Sequence, residues 1–116
     1  MSWGRSGDAR PLFERALAIY EKVVGPEHPD TNRTRTNFAW LLLAQGNAAK
    51  ALAYGNAALV AHEKSFGTDH PWAKDSARVT ADALTALGRT AEATALFERY
   101  GVGRDPSALT RNYSAG

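Results

Sequence analysis

The sequence predicts an all-α protein in which antiparallel helical hairpins stack side by side as a short solenoid of about two and a half repeats and five helices. Three observations predict this fold. The segment Gly25-Pro26-Glu27-His28-Pro29 returns 42 residues later as Gly67-Thr68-Asp69-His70-Pro71. Leu12-Phe13-Glu14-Arg15 returns as Leu96-Phe97-Glu98-Arg99, two periods on. Apolar residues between these segments recur at helical spacing. A fixed period of this size is typical of repeats that bury their apolar faces only against neighbours.

The first predicted helix covers residues 9–24. Its apolar residues recur at three- and four-residue intervals, the spacing of one helical face. Asp8 is the predicted N-cap, and Pro11 is tolerated in the first turn. Gly25 ends the helix.

The second and third predicted helices, residues 30–45 and 48–66, form one hairpin. Pro29 opens the second helix, and only Gly46 and Asn47 separate it from the third. So short a connection forces the two helices to be antiparallel. Asn47 is the predicted N-cap of the third helix.

The fourth and fifth predicted helices, residues 72–87 and 90–100, repeat this hairpin, and the Gly-x-x-His-Pro connector joins it to the one before. Small residues occur where paired helices must approach closely. Ala39 is predicted to lie opposite Ala51, and Ala81 opposite Ala93. Ridges and grooves interlock at such a crossing only while the contact residues stay small.

The predicted organisation is a flexible lead (1–8), a helical repeat domain (9–100) and a C-terminal tail (101–116). Gly101 is expected to cap the last helix in the left-handed conformation, with Val102 as its apolar contact. The chain begins with the second helix of a repeat, so an apolar face of helix 9–24 lacks its partner. Two explanations stay open. Either the chain is the C-terminal fragment of a longer array, or another copy covers this face in a homo-oligomer.

Composition argues against several classes of protein. The net charge is +2, from 14 basic and 12 acidic residues, with no basic cluster, so nucleic-acid binding is not expected. No apolar run approaches the ~18 residues that span a bilayer. No cysteine offers a thiolate metal site or disulfide. A cytoplasmic location with no membrane contact is predicted.

The residues 16–31 and 36–46 resemble the tetratricopeptide repeat (TPR) of the long, kinesin-light-chain type, with its Gly-x-x-His-Pro connector. Helical repeats of the HEAT type have similar periods, but their signature is absent. The resemblance implies a right-handed solenoid whose first helices line a concave groove. It further implies a non-catalytic scaffold without cofactor that binds a peptide or protein segment there.

Groove positions carry over residue by residue from this resemblance. On the second helix, Asn37 matches the asparagine that hydrogen-bonds a bound peptide backbone. On the fourth helix, Val79 and Thr80 replace the expected asparagine and leucine, so the second repeat is expected to bind weakly or to act as a cap. The predicted ligand-binding set is Arg33, Thr36, Asn37, Trp40, Leu43, Asp75, Arg78 and Asp82.

Two of these assignments have alternatives. Trp40 is either an exposed groove anchor or a core residue that fills the gap over Gly55. Arg33 and Arg78 are either solvated or favour an acidic ligand through charge-assisted hydrogen bonds. The aspartates on the fourth helix would partly cancel that preference.

The histidines invite a metal-site hypothesis, with His28 and His70 paired and His62 as a third ligand. Because His28 and His70 each precede a helix-opening proline, a structural role in the connector is favoured, and no metal is expected. A hydrolytic triad from Ser65 or Ser76 with His70 and Asp69 lacks any supporting motif, so no catalytic residue is assigned. The alternative function is a structural module that caps or assembles a larger repeat protein.

Overall fold

The computed structural model describes residues 6–102, with the side chains of residues 9–102. Five helices make up this region: α1 (Ser6–Val23), α2 (Pro29–Ala44), α3 (Ala48–Phe66), α4 (Pro71–Ala86) and α5 (Thr90–Tyr100). No strand occurs among residues 6–102. The predicted all-α repeat fold is therefore confirmed. Residues 1–5 and 103–116, which hold most of the predicted lead and tail, lie outside the described part.

The start of α1 differs from the prediction. The helix begins at Ser6, so Asp8 lies inside it and is not its N-cap, and Pro11 lies beyond the first turn. A capping residue indicates where a helix can begin, but the backbone hydrogen bonds decide where it does begin. The other four helices begin and end within one residue of their predicted limits.

The helices pack in the order expected for stacked hairpins. Each helix packs against the next one along the chain, and α2 also packs against α4. Among the described residues, α1 does not touch α3 and α3 does not touch α5 at the level of the backbone. The first helices of the two hairpins, α2 and α4, therefore lie side by side, and α3 packs against both of them.

The core of the first half is built around Phe38, which is fully buried on α2. The Phe13 ring of α1 stacks on it with 5.7 Å between centroids, and the Tyr54 ring of α3 lies 5.0 Å from it on a tilted plane. Leu42 of α2 is also fully buried in this cluster. One aromatic side chain thus joins three helices, which fixes α2 in the inner layer.

The second half of the core uses smaller residues on α4. Ala73, Ala77 and Ala81 are fully buried one turn apart, so α5 approaches α4 closely along this stripe. Gly101 adopts the left-handed conformation (φ 63°, ψ 37°), and the Val102 N–H donates to the Phe97 carbonyl at 3.0 Å. Val102 packs against the apolar clusters at this end. The predicted glycine cap is confirmed.

The two Gly-x-x-His-Pro connectors use the same cap. His28 Nδ1 accepts a hydrogen bond from the Asp30 N–H at 3.0 Å, and His70 Nδ1 accepts one from the Trp72 N–H at 3.1 Å. Each imidazole thereby satisfies a free backbone donor at a helix N-terminus. The predicted structural role of both histidines is confirmed.

The first connector is held in addition by polar side chains. The fully buried Asn32 donates from Nδ2 to the Pro26 carbonyl at 2.9 Å and to the His28 carbonyl at 3.0 Å. Arg35 donates to the same Pro26 carbonyl at 2.8 Å and to Glu21 of α1 at 2.8 Å. These bonds hold the end of α1 against the start of α2.

Candidate protein-interaction surface

The exposed residues of α2 and α4 form one stripe on each helix. Spacings of three and four residues place the members of a stripe on a single helical face. α2 packs directly against α4, so the two stripes are taken together as one candidate surface. On α2 the stripe is Asp30, Arg33, Asn37, Trp40 and Ala44, and on α4 it is Asp75, Arg78, Asp82 and Thr85, with Asp75 partly buried. We call this the α2–α4 surface.

Six of the eight predicted groove residues lie on the α2–α4 surface, and two do not. Thr36 is buried, and its Oγ1 lies 2.9 Å from Ser76 Oγ of α4. It is therefore part of the contact between the two helices and not of the surface. The prediction for Thr36 is therefore wrong, because α4 covers this residue. Leu43 is partly buried against the Phe38 cluster and lies off the exposed stripe of α2, and its assignment stays a prediction.

Trp40 is exposed and does not fill the space over Gly55, which α4 occupies. Its side chain is 38% exposed. The space over Gly55 is filled by α4, since a Cβ at Gly55 would lie 2.8 Å from Thr80 Oγ1 and 3.2 Å from Val79 Cγ1. The alternative in which Trp40 fills this gap is therefore wrong. Val79, which replaces the groove asparagine, is fully buried at the same contact.

Both arginines of the surface already have partners within the fold. The Arg33 guanidinium lies over the Trp72 ring, with 4.6 Å between its central carbon and the ring centroid. Arg78 Nη1 donates to Asp75 Oδ1 at 2.8 Å. This ion pair is half exposed, so it contributes at most ~1 kcal/mol and is readily exchanged for another partner.

Trp72 packs on the connector and also borders the α2–α4 surface. Its ring meets the His70 and Phe66 rings edge-on and carries Arg33 above it. A signal for this position was available, since Trp72 lies one period after Asp30, which belongs to the exposed stripe of α2. Trp72 lies at the start of α4 and Trp40 in the second half of α2, so the two residues are at different positions along the α2–α4 surface.

The serine and histidine that do meet are Ser76 and His62, and neither is accessible. Ser76 Oγ lies 2.8 Å from His62 Nδ1, and both residues are at most 1% exposed. A substrate cannot reach this pair, and the triad considered from the sequence, with His70 and Asp69, does not form, because His70 caps α4. Among the described residues, no group of three or more His, Cys, Asp or Glu could hold a metal ion.

Open cavities occur on the other helices. Two of them, of about 520 and 460 Å³, share Leu96 and Arg99 and lie between α3 and α5. Arg99 Nη2 donates to Glu63 Oε1 at 2.6 Å, so this ion pair bridges the opening. Within residues 6–102, no helix is both long and apolar enough to cross a membrane.

Comparison with known proteins agrees with this architecture. The tetratricopeptide repeat family profile matches residues 4–59 and 41–100. The chain belongs to the tetratricopeptide repeat family.

A similar protein indicates which type of tetratricopeptide repeat this chain has. The chain is 34% identical over 82 residues to a protein of Arabidopsis thaliana named Protein KINESIN LIGHT CHAIN-RELATED 2. The match covers 71% of this chain and 12% of the relative, so the chain spans only a small part of that protein. The repeats of the present chain are therefore of the kinesin-light-chain-like type. The TPR family is one of non-catalytic protein-interaction scaffolds.

Proposed function

We propose that this TPR chain is a non-catalytic scaffold that binds an extended peptide or a protein segment across the α2–α4 surface. The observation that carries the proposal is the pairing of two exposed stripes on helices that pack side by side. The surface offers a half-exposed tryptophan, an unengaged amide and exchangeable charges. Such a mixture suits a ligand with both a peptide backbone and side chains to bury.

Asn37 is the proposed backbone anchor. Its side chain is exposed, and no described residue hydrogen-bonds to it. An amide side chain offers both a donor and an acceptor, which matches the N–H and C=O of one peptide unit. Trp40, one turn further along α2, is the proposed apolar anchor, because tryptophans in interfaces often carry much of the binding energy.

A peptide-array screen of the whole chain, followed by titration of the best peptides, tests this function. Asn37→Ala should weaken binding by about fivefold to tenfold, the effect of one lost hydrogen bond of ~1 kcal/mol. Trp40→Ala should weaken it by about thirtyfold or more. Asn56→Ala is the matched control, since Asn56 is an exposed asparagine on α3, away from the surface. Equal affinities of the Asn37 and Asn56 variants would refute the proposal.

An acidic ligand remains a prediction for the same surface. Arg78 would exchange the Asp75 carboxylate for one from the ligand, and Arg33 would leave the Trp72 ring. The aspartates on both stripes oppose this exchange. If acidic segments are preferred, replacing the peptide's Asp and Glu by Asn and Gln should lower affinity in wild type and have a smaller effect in Arg78→Gln.

Self-assembly is a second candidate function, and the exposed face of α1 favours it. Leu12, Ile19 and Val23 are 66%, 55% and 73% exposed and lie on one face of the helix. Uncovered apolar ends of helical repeats tend to associate. Sedimentation equilibrium should then show mass rising with concentration. Ile19→Glu should abolish the rise, whereas Val60→Glu, at an equally exposed residue of α3, should not. A concentration-independent monomer mass would exclude this role.

A cytoplasmic location also stays a prediction.

A further inference from the structure

A buried polar junction joins α2, α3 and α4. His62 of α3 is 1% exposed, and both of its ring nitrogens have partners. Nε2 lies 3.1 Å from the Pro29 carbonyl oxygen at the start of α2, and Nδ1 lies 2.8 Å from Ser76 Oγ of α4. Thr36 Oγ1 of α2 lies 2.9 Å from the same serine oxygen. One imidazole therefore connects the two hairpins.

The partners of His62 define its protonation in the folded chain. A carbonyl oxygen only accepts hydrogen bonds, so Nε2 must carry the proton that points to Pro29. In the neutral ring, Nδ1 then accepts the hydroxyl proton of Ser76. A second proton on the ring would make Nδ1 a donor to Ser76, and the Ser76 hydroxyl proton would then be held by the Trp72 carbonyl alone, to which Ser76 Oγ donates at 3.0 Å.

The surroundings of His62 oppose a positive charge. Burial is the main reason that the pKa of His62 is lowered from its ordinary value of 6.5, and it outweighs the hydrogen bonds to the Pro29 and Trp72 backbone, which favour the charged ring. The charged and titratable groups that face it are Arg33 from α2 and His70 from the N-terminus of α4, and both add to the lowering. The Trp72 and Phe66 rings, with centroids 5.8 and 6.1 Å from the imidazole, cover the rest of it.

His62 does not belong to the repeated pattern. The residue one period earlier is Tyr20, which is 40% exposed on α1. The other two histidines cap helices at connectors and are only partly buried. The junction at His62 is thus particular to the contact between these two repeats.

We propose that His62 makes the joint between the two repeats sensitive to acid, so that protonation of its ring loosens the packing of α3 against α2 and α4. The charged imidazole cannot reach water unless these helices separate, because α2, α3 and α4 together enclose it. Loosening the joint would also disturb the α2–α4 surface, since the Thr36–Ser76 contact belongs to the same cluster. The proposal does not depend on which ligand that surface binds.

The sign of the effect follows from linkage. Well above pH 6.5 the ring is neutral in both the folded and the unfolded chain, and His62 causes no pH dependence. As the pH falls below that value, the unfolded chain takes up a proton that the folded chain resists. The unfolding equilibrium constant should then rise by up to about tenfold per pH unit until the folded ring is also protonated.

The test combines an NMR titration with unfolding of the full chain in urea. The His62 ring of wild type should titrate below 6.5. The urea concentration at the midpoint of unfolding should decrease as the pH is lowered from about 7 to about 5. His62→Gln keeps a donor and an acceptor but takes up no proton, so its midpoint should fall less. His28→Gln is the control, because this cap is outside the junction. The urea midpoint of this variant should decrease with falling pH as that of wild type does.

Two results would overturn the proposal. One is a His62 ring that titrates at or above its ordinary value, and the other is an equal loss of stability in wild type and His62→Gln. If the glutamine variant fails to fold at neutral pH, the ring titration of wild type, with amide exchange of α2 and α4 measured alongside it, decides. Amides that keep their protection while His62 titrates would likewise overturn it.

Discussion

At the scale of single residues, Gly55 shows how one missing side chain sets the distance between two helices. It lies in the middle of α3, where alanine is ordinarily favoured by ~1 kcal/mol. A Cβ there would meet Thr80 Oγ1 at 2.8 Å. That oxygen cannot easily move, because it is buried and donates to the Ser76 carbonyl at 2.7 Å. The absence of a large residue at Gly55 is therefore matched by Val79 and Thr80 on α4.

Gly55→Ala should lower the free energy of unfolding by ~1–2 kcal/mol, because overpacking outweighs the gain in helix propensity. Urea unfolding measures this change. Thr80→Ala removes the contacting oxygen, so the loss in the double variant should be smaller than the sum of the two single losses. A Gly55→Ala variant more stable than wild type would show that the crossing can open without cost.

At the scale of elements, the hairpins depend on alanines at their crossings. Ala39 and Ala51 are fully buried in the cluster around Phe38, and Ala81 and Ala93 are fully buried in the cluster at α5. The small residues expected to face each other from the sequence thus lie together in the structure. Close approach of α2 to α3 and of α4 to α5 follows.

Ala39→Leu and Ala81→Leu should each cost ~1–3 kcal/mol of stability, because neither crossing has room for a larger side chain. Thermal or urea unfolding measures the loss. The matched controls are Ala44→Leu on α2 and Ala86→Leu on α4, where the alanines are exposed and little change is expected. If buried and exposed substitutions cost the same, the helices are not paired as described.

The last helix is tied to α3 by Tyr100, whose hydroxyl donates to the Glu63 carboxylate. Burial and this hydrogen bond raise the pKa of Tyr100 from 10.0 to about 12. The folded chain therefore keeps a proton that the unfolded chain loses at lower pH. The stabilisation is complete below pH 10 and is lost as the pH rises towards 12.

The absorbance of ionised tyrosine should consequently show a late step near pH 12 that belongs to Tyr100. Tyr100→Phe should remove that last step and make stability less dependent on pH in the alkaline range. Tyr54→Phe is the control, since it leaves Tyr100 and Glu63 untouched. A wild-type titration in which every tyrosine ionises near 10 would contradict the tether between α5 and α3.

At the scale of the whole molecule, the helices are unequally supported. α3 packs between α2 and α4, whereas among the described helices α1 packs only against α2. On α1 the large apolar residue that is buried is Leu17, and three others are more than half exposed. In stacked repeats, stability is largely a sum over neighbouring contacts, so an end helix opens at lower free energy than an inner one.

Native-state hydrogen exchange should therefore show α1 amides exchanging faster than those of α3, with α5 between them because of its tether to Glu63. Mass spectrometry of peptides from the exchanged chain gives the order directly. Chain concentration should be varied as a control, since self-association through α1 would slow its exchange at high concentration. Equal protection of α1 and α3 at low concentration would show that the chain unfolds as one unit.

Much of this molecule was determined by the sequence alone. Within residues 6–102, the 42-residue period, the short Gly46-Asn47 turn and the histidines before the prolines predicted the number and pairing of the helices and the limits of all but the first. These features depend on local backbone hydrogen bonds and on spacing along one chain, which a sequence displays directly. The exposed positions of Asn37 and Arg78 followed from the resemblance to the TPR family.

The tertiary structure decided which side chains the neighbouring helices cover. Thr36 of α2 meets Ser76 of α4, 40 residues away, because two helices packed side by side contact each other with different faces. The packing of α2, α3 and α4 buries Thr36 and Val79 and fills the space over Gly55, whereas Trp40 stays exposed. The same packing brings His62 between Pro29 and Ser76. Burial arises from the relative placement of distant segments, and a periodic pattern gives the faces of each helix but not this placement.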